Sequence, residues 1–118
     1  MPDLPRYDLE NRTYCFARDC RDFTRQLPKS IESFEYAKQL VRSSGSQAAN
    51  YIEANEALSK KDFAHRIKIC IKETRESALW LMLCNSGGNQ LLENQKQRLL
   101  RESTELRKIF GAIFMKTR

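Results

Sequence analysis

The sequence predicts an all-α fold, an antiparallel up-down-up-down four-helix bundle, and three observations carry that prediction. Apolar side chains recur at spacings of three and four, the period of a helix with one buried face. Breaks at Pro28, at Ser59 and at Asn85-Ser86-Gly87-Gly88-Asn89 divide the chain into four long segments with short connections. Short connections make consecutive helices antiparallel neighbours. No strand pattern competes with this reading.

Helix one is expected to start near Asp8, an acidic cap ahead of Leu9, and to end before Pro28, which cannot continue a helix. Leu9, Thr13, Phe16, Cys20, Phe23 and Leu27 form its core stripe. At about 100° per residue Arg18, Arg21 and Arg25 fall on the opposite side, facing solvent. Helix two is expected over about 30–58, with Phe34, Ala37, Val41, Ala48, Ile52 and Asn55 as its core face. Ser43-Ser44-Gly45-Ser46 in its middle weakens a helix, so a kink or break there stands as the alternative, although small side chains also let a neighbouring helix approach closely.

Ser59-Lys60-Lys61-Asp62 resembles a capping box with Asp in the Glu position and starts helix three at Ser59. Phe63, Ile67, Cys70, Thr74, Ala78 and Leu81 form its core face, and the Asn- and Gly-rich turn after about residue 85 stops it. Helix four is expected over about 90–116, with Leu92, Leu99, Leu106, Phe110 and Ile113 inward. Lys108, Lys116 and Arg118 suit its negative C-terminal end.

A chain of 118 residues supports one core better than two, so residues 1–118 are read as a single domain. No run approaches the roughly 18 apolar residues that cross a bilayer. The opening MPDLPRYDLE lacks the apolar centre of a secretory signal. No membrane association and a cytoplasmic location are expected. Cys15, Cys20, Cys70 and Cys84 form no C-x-x-C pair and His65 is the sole histidine, which disfavours a zinc site and points to reduced, mostly buried thiols. The sequence has no Gly-rich phosphate loop, and Asp62-x-x-His65 lacks the second histidine of a di-iron bundle. No cofactor is expected.

Two features go beyond a simple monomeric bundle. Helix three carries a second stripe of Ile69, Glu73, Glu76, Trp80 and Leu83, and helix two a second face of Tyr36, Leu40, Ser43, Gln47, Asn50 and Ala54. Such faces suit a subunit or partner interface. The bland alternative is a wide helix face packed on two neighbours within one bundle. Glu73 and Glu76, bracketed by Ile69 and Trp80, call for cationic partners, with Arg12, Arg42 and Lys72 as candidates. A rival reading uses Glu53-x-x-Glu56 and Glu73-x-x-Glu76 to hold Mg²⁺, as in the all-helical nucleotide pyrophosphohydrolases, which generally end the second motif with Asp instead.

The net charge of +6, from 21 Lys and Arg against 15 Asp and Glu, favours phosphate backbones or acidic partners. It also suits a surface that merely keeps a protein dispersed. The candidate nucleic-acid contacts are Arg18, Arg21, Arg25, Lys68, Arg75, Arg101 and Arg107.

The stretch Gln39-Leu40-Val41-Arg42-Ser43, with Ser46, Ala49-Asn50, Glu53-Ala54, Ser59-Lys60-Lys61-Asp62-Phe63 and Lys68-Ile69, resembles a small bacterial four-helix-bundle family. Its members include proteins encoded by intervening sequences within 23S ribosomal RNA genes. Lys72-Glu73, Glu76 and Trp80-Leu81 extend the resemblance, as do Leu9, Arg12, Phe16-Ala17 and Leu27-Pro28 upstream and Glu102, Glu105-Leu106 and Ile109 downstream. The family usually has a threonine where Gly45 stands and an isoleucine where Gln47 stands. The resemblance implies an antiparallel bundle and a ring-like homopentamer. Relatives accompany the reverse transcriptases of diversity-generating retroelements, where a basic bundle ring binds nucleic acid and the enzyme. The expected function is a non-catalytic homo-oligomeric bundle that binds structured RNA or a nucleoprotein partner. A protein-interaction module without nucleic acid and the Mg²⁺ pyrophosphohydrolase are the alternatives.

Overall fold

The structure, a computed structural model, describes residues 5–118, with side chains described from Leu9 onward. Four helices follow one another: α1 (Pro5–Thr24), α2 (Ile31–Asn55), α3 (Lys60–Leu83) and α4 (Gln90–Met115). Each packs on the next and α4 closes back on α1, while the diagonal α2 and α4 meet through side chains, the Tyr51 and Phe110 ring centroids lying 5.8 Å apart. That ring of neighbours is the expected up-down-up-down bundle. The α2–α3 seam is the most extensive and the α1–α4 seam the slightest.

The ends follow from local chemistry. Pro5 opens α1 earlier than the expected start at Asp8, since proline's missing N–H costs nothing in a first turn. Ser30 Oγ accepts from Ser33 N (3.1 Å), Ser59 Oγ from Asp62 N (3.0 Å) and Asn89 Oδ1 from Leu92 N (3.1 Å), capping the other three helices. Gly87 and Gly88 turn the α3–α4 connection with φ of 63° and 79°, in the left-handed region that favours glycine. A Cβ on Gly87 would lie 2.6 Å from Pro28 Cγ, so this loop rests on the α1–α2 connection.

Phe16, Cys20, Phe23, Leu40, Ile67, Cys70, Leu81, Leu92, Leu99, Leu106 and Phe110 fill the core. The expected core faces of α1, α3 and α4 all point inward, with Phe63, Ala78 and Ile113 at the margin. The expectation for α2 is reversed. Leu40, Ser43, Ser44, Gln47, Tyr51 and Ala54 are buried, whereas Phe34, Val41 and Ile52 are 59%, 44% and 49% exposed. Small side chains explain the exchange, because they bring α2 close enough for Ser43 and Ser77 hydroxyls to bond at 2.8 Å and for Gln47 Nε2 to reach Thr13 O at 2.8 Å. α2 also runs unbroken through Ser43-Ser44-Gly45-Ser46. Bundle packing overrides the weak local propensity there.

Candidate nucleic-acid interface

The candidate contacts divide into two groups. On α1 and the turn that follows it, Arg18, Arg21 and Arg25 are exposed, as expected, but Asp19 and Asp22 sit among them. Arg18 Nε lies 3.1 Å from Asp19, Arg21 Nε 3.0 Å and Arg25 Nη1 3.7 Å from Asp22, and Arg98 of α4 reaches Asp19 at 3.5 Å. Hydrogen bonding to Asp19 raises the Arg18 guanidinium further above its ordinary value. The stripe therefore carries less free charge than its arginines suggest. Arg101 belongs to this side too, lining the α1–α4 groove with Asp19, Arg98, Glu102 and Glu105.

The second group lies along the α3–α4 seam. Arg75 and Arg107 line one groove of about 430 Å³. Lys68, two turns before Arg75, places Nζ 5.5 Å from the Phe114 ring centroid, a cation–π distance. Among the described residues none of these three cations has a carboxylate partner. The seven residues thus fall on two surfaces of the bundle. Between the two groups, the outer face of α4 carries the Glu105–Lys108 pair at 3.9 Å.

The expected interface residues gather at the α2–α3 seam, which closes within the chain. Leu40 and Gln47, placed between subunits by the sequence reading, are fully buried inside the bundle and unavailable to a partner. The small residues around Gln47 draw that face of α2 inward. Tyr36 stacks on Trp80 with centroids 6.1 Å apart, and Arg66 Nη1 donates to Asn50 Oδ1 at 3.0 Å. Glu73, only 6% exposed, accepts from Arg42 at 3.3 and 3.4 Å and from Ser46 Oγ at 3.1 Å, and Arg42 also reaches Glu76 at 3.1 Å. Arg42 is the partner that the carboxylates required. Arg12 instead clamps Glu102 through Nε (3.1 Å) and Nη2 (2.7 Å), joining α1 to α4. Ile69 is half-buried and Leu83, 43% exposed, stands at the rim.

These contacts bear on the Mg²⁺ reading as well. Glu53 and Glu56 are exposed, while Glu73 is occupied by a guanidinium and a hydroxyl. Among the described residues no three His, Cys, Asp or Glu side chains converge to hold a metal ion. The thiols of Cys20, Cys70 and Cys84 are buried, and burial pushes them up, to about 12 at Cys70 and about 11 at Cys84. Among the described residues no helix is long and apolar enough to cross a membrane.

What sequence reasoning missed is the exposed apolar row on α2. Phe34 lies over the α1–α2 junction beside Thr24 and Arg25, and Val41 and Ile52 continue the row at helical spacing. The signal was present: the opposite face of α2 holds the small residues that a close helix contact requires.

Residues 7–112 match the family described as 23S rRNA-intervening sequence protein. A crystal structure of a protein of unknown function from the S23 ribosomal protein family of Bacteroides thetaiotaomicron VPI-5482 is similar throughout. It is 27% identical, with a TM-score of 0.81 over 95% of this chain and 99% of that one. No curated protein matches the sequence.

Proposed function

The chain belongs to the 23S rRNA-intervening sequence protein family, and from that premise we propose that it is a non-catalytic, homo-oligomeric helical module that binds structured RNA, alone or in a nucleoprotein. The observation that carries the reading is the gathering of Lys68, Arg75 and Arg107, free of carboxylates, along one seam. Unneutralised cations on a rigid helical frame suit a phosphate backbone, and binding releases the counterions condensed there. Arg18, Arg21, Arg25 and Arg101 add a second, weaker contact because neighbouring aspartates and glutamates offset them.

Assembly rests on Phe34, Val41 and Ile52, an apolar row too regular to be scattered surface residues. A second copy of the chain is its proposed occupant. A protein-interaction module without nucleic acid is the reading that this row alone would favour.

Titration of a labelled RNA hairpin at low and moderate salt separates the two. Affinity should fall by roughly 0.7 to 0.9 logarithmic units per phosphate contact for each tenfold rise in salt. Arg75→Ala/Arg107→Ala should weaken binding more than Arg18→Ala/Arg21→Ala/Arg25→Ala. Absence of binding at low salt would leave the interaction module as the better reading.

A further inference from the structure

We infer that the α3–α4 groove takes an unpaired nucleotide of the RNA rather than a stretch of duplex. This rests on the RNA-binding reading and assigns that site its substrate class. The groove is amphipathic in a particular order. Arg75 and Arg107 supply guanidinium donors on its two helices, and Met82 and Leu100, each two turns from the arginine on its own helix, supply an apolar surface beside them.

A hydroxyl completes it. Thr104 Oγ1 donates to Leu100 O at 3.1 Å, and the buried Ser103 Oγ behind it donates to the same carbonyl at 2.8 Å. With its proton engaged there, the exposed Thr104 oxygen offers the groove acceptor lone pairs. A nucleotide out of the stack meets all three surfaces, its phosphate on the arginines, its face on the apolar side chains and its amino or imino edge on the Thr104 oxygen. A duplex keeps its bases stacked and paired, so its backbone would span the rim and leave Met82, 57% exposed, uncovered. The volume of about 430 Å³ is ample for one nucleotide and too small for a helical turn of RNA. Lys68 extends the cationic line by about 10 Å toward the adjoining phosphates.

The test is fluorescence anisotropy with two RNAs of equal length and charge, one fully paired and one carrying an unpaired loop. Wild type should prefer the looped RNA by about tenfold, within the range that stacking of a base contributes. Met82→Asp should abolish the preference by repelling the nucleotide from the apolar surface, with thermal melting confirming that this exposed substitution leaves the fold intact. Equal affinity for both RNAs, or a preference that survives Met82→Asp, would overturn the inference and leave the RNA-binding reading standing. Displacement of the looped RNA by polyglutamate as efficiently as by unlabelled looped RNA would overturn it too, because the groove would then be an acidic-polymer site. Failure of both RNAs to bind at low salt would remove the inference together with the reading on which it rests.

Discussion

Gln47 is the residue at which chemistry and packing conflict most. Its Nε2 donates to Thr13 O and Ser44 O at 2.8 and 2.9 Å, but its Oε1 is buried with no hydrogen-bond partner among the described residues. An orphaned buried acceptor costs about 1–3 kcal/mol, whereas each bond that Nε2 makes contributes about 1 kcal/mol net. Replacing the amide with an apolar group of similar length therefore removes as much cost as benefit. Gln47→Met should be neutral or stabilising by up to about 1 kcal/mol in urea unfolding. Gln47→Ala, which opens a cavity between α1, α2 and α3, should cost about 2–3 kcal/mol. A Met variant as damaged as the Ala variant would mean that the two donated bonds dominate. The buried thiols give a second handle at this scale. Raised well above the ordinary thiol range by burial, Cys20, Cys70 and Cys84 should resist a thiol reagent at neutral pH in the native state, leaving half-exposed Cys15 to react first.

At the level of single elements, the start of α4 carries a pH-dependent contact. The Ser86 hydroxyl and then the Gln97 amide donate to Glu93, with Lys96 nearby, and together they hold its carboxyl below the usual 4.5. Because the folded value is depressed, the contribution of Glu93 is present above the unfolded value and disappears as pH falls through the folded one. Wild type should exceed Glu93→Gln in stability at neutral pH, and the two should converge in acid below that value, as thermal melts across pH would show. How legible an element is follows from the same physics. The stripes of α1, α3 and α4 were readable because their apolar residues are also their buried ones. α2 was not, since Phe34, Val41 and Ile52 outrank Ser43, Ser44 and Gln47 in hydropathy yet lie outside. Hydropathy reports what prefers to leave water, but closeness of approach is set by side-chain size, and in α2 the two criteria choose opposite faces. The basic contacts were legible as residue types only. Which arginines meet an aspartate depends on helix phase and neighbours that no spacing rule supplies.

Across the whole molecule the ring of helices separates two surfaces. The apolar row of α2 lies toward α1, and the cationic seam lies between α3 and α4 on the opposite side of the bundle. An assembly built through α2 would therefore leave each copy's seam open. Several seams on one particle would then engage one RNA at a high effective concentration, multiplying affinity without any new contact. Val41→Glu places a charge in the centre of the row at an exposed position, so it should break the assembly to monomers in light scattering while sparing the fold. On an RNA long enough to span two seams this variant should lose about tenfold to a hundredfold in affinity, and on a short hairpin that reaches only one seam it should bind as wild type does. Arg75→Ala/Arg107→Ala should do the converse, keeping the oligomer and losing both RNAs. If Val41→Glu abolished binding to the short hairpin as well, the RNA would have to lie across the junction between subunits, and the division of the bundle into an assembly side and a binding side would fail.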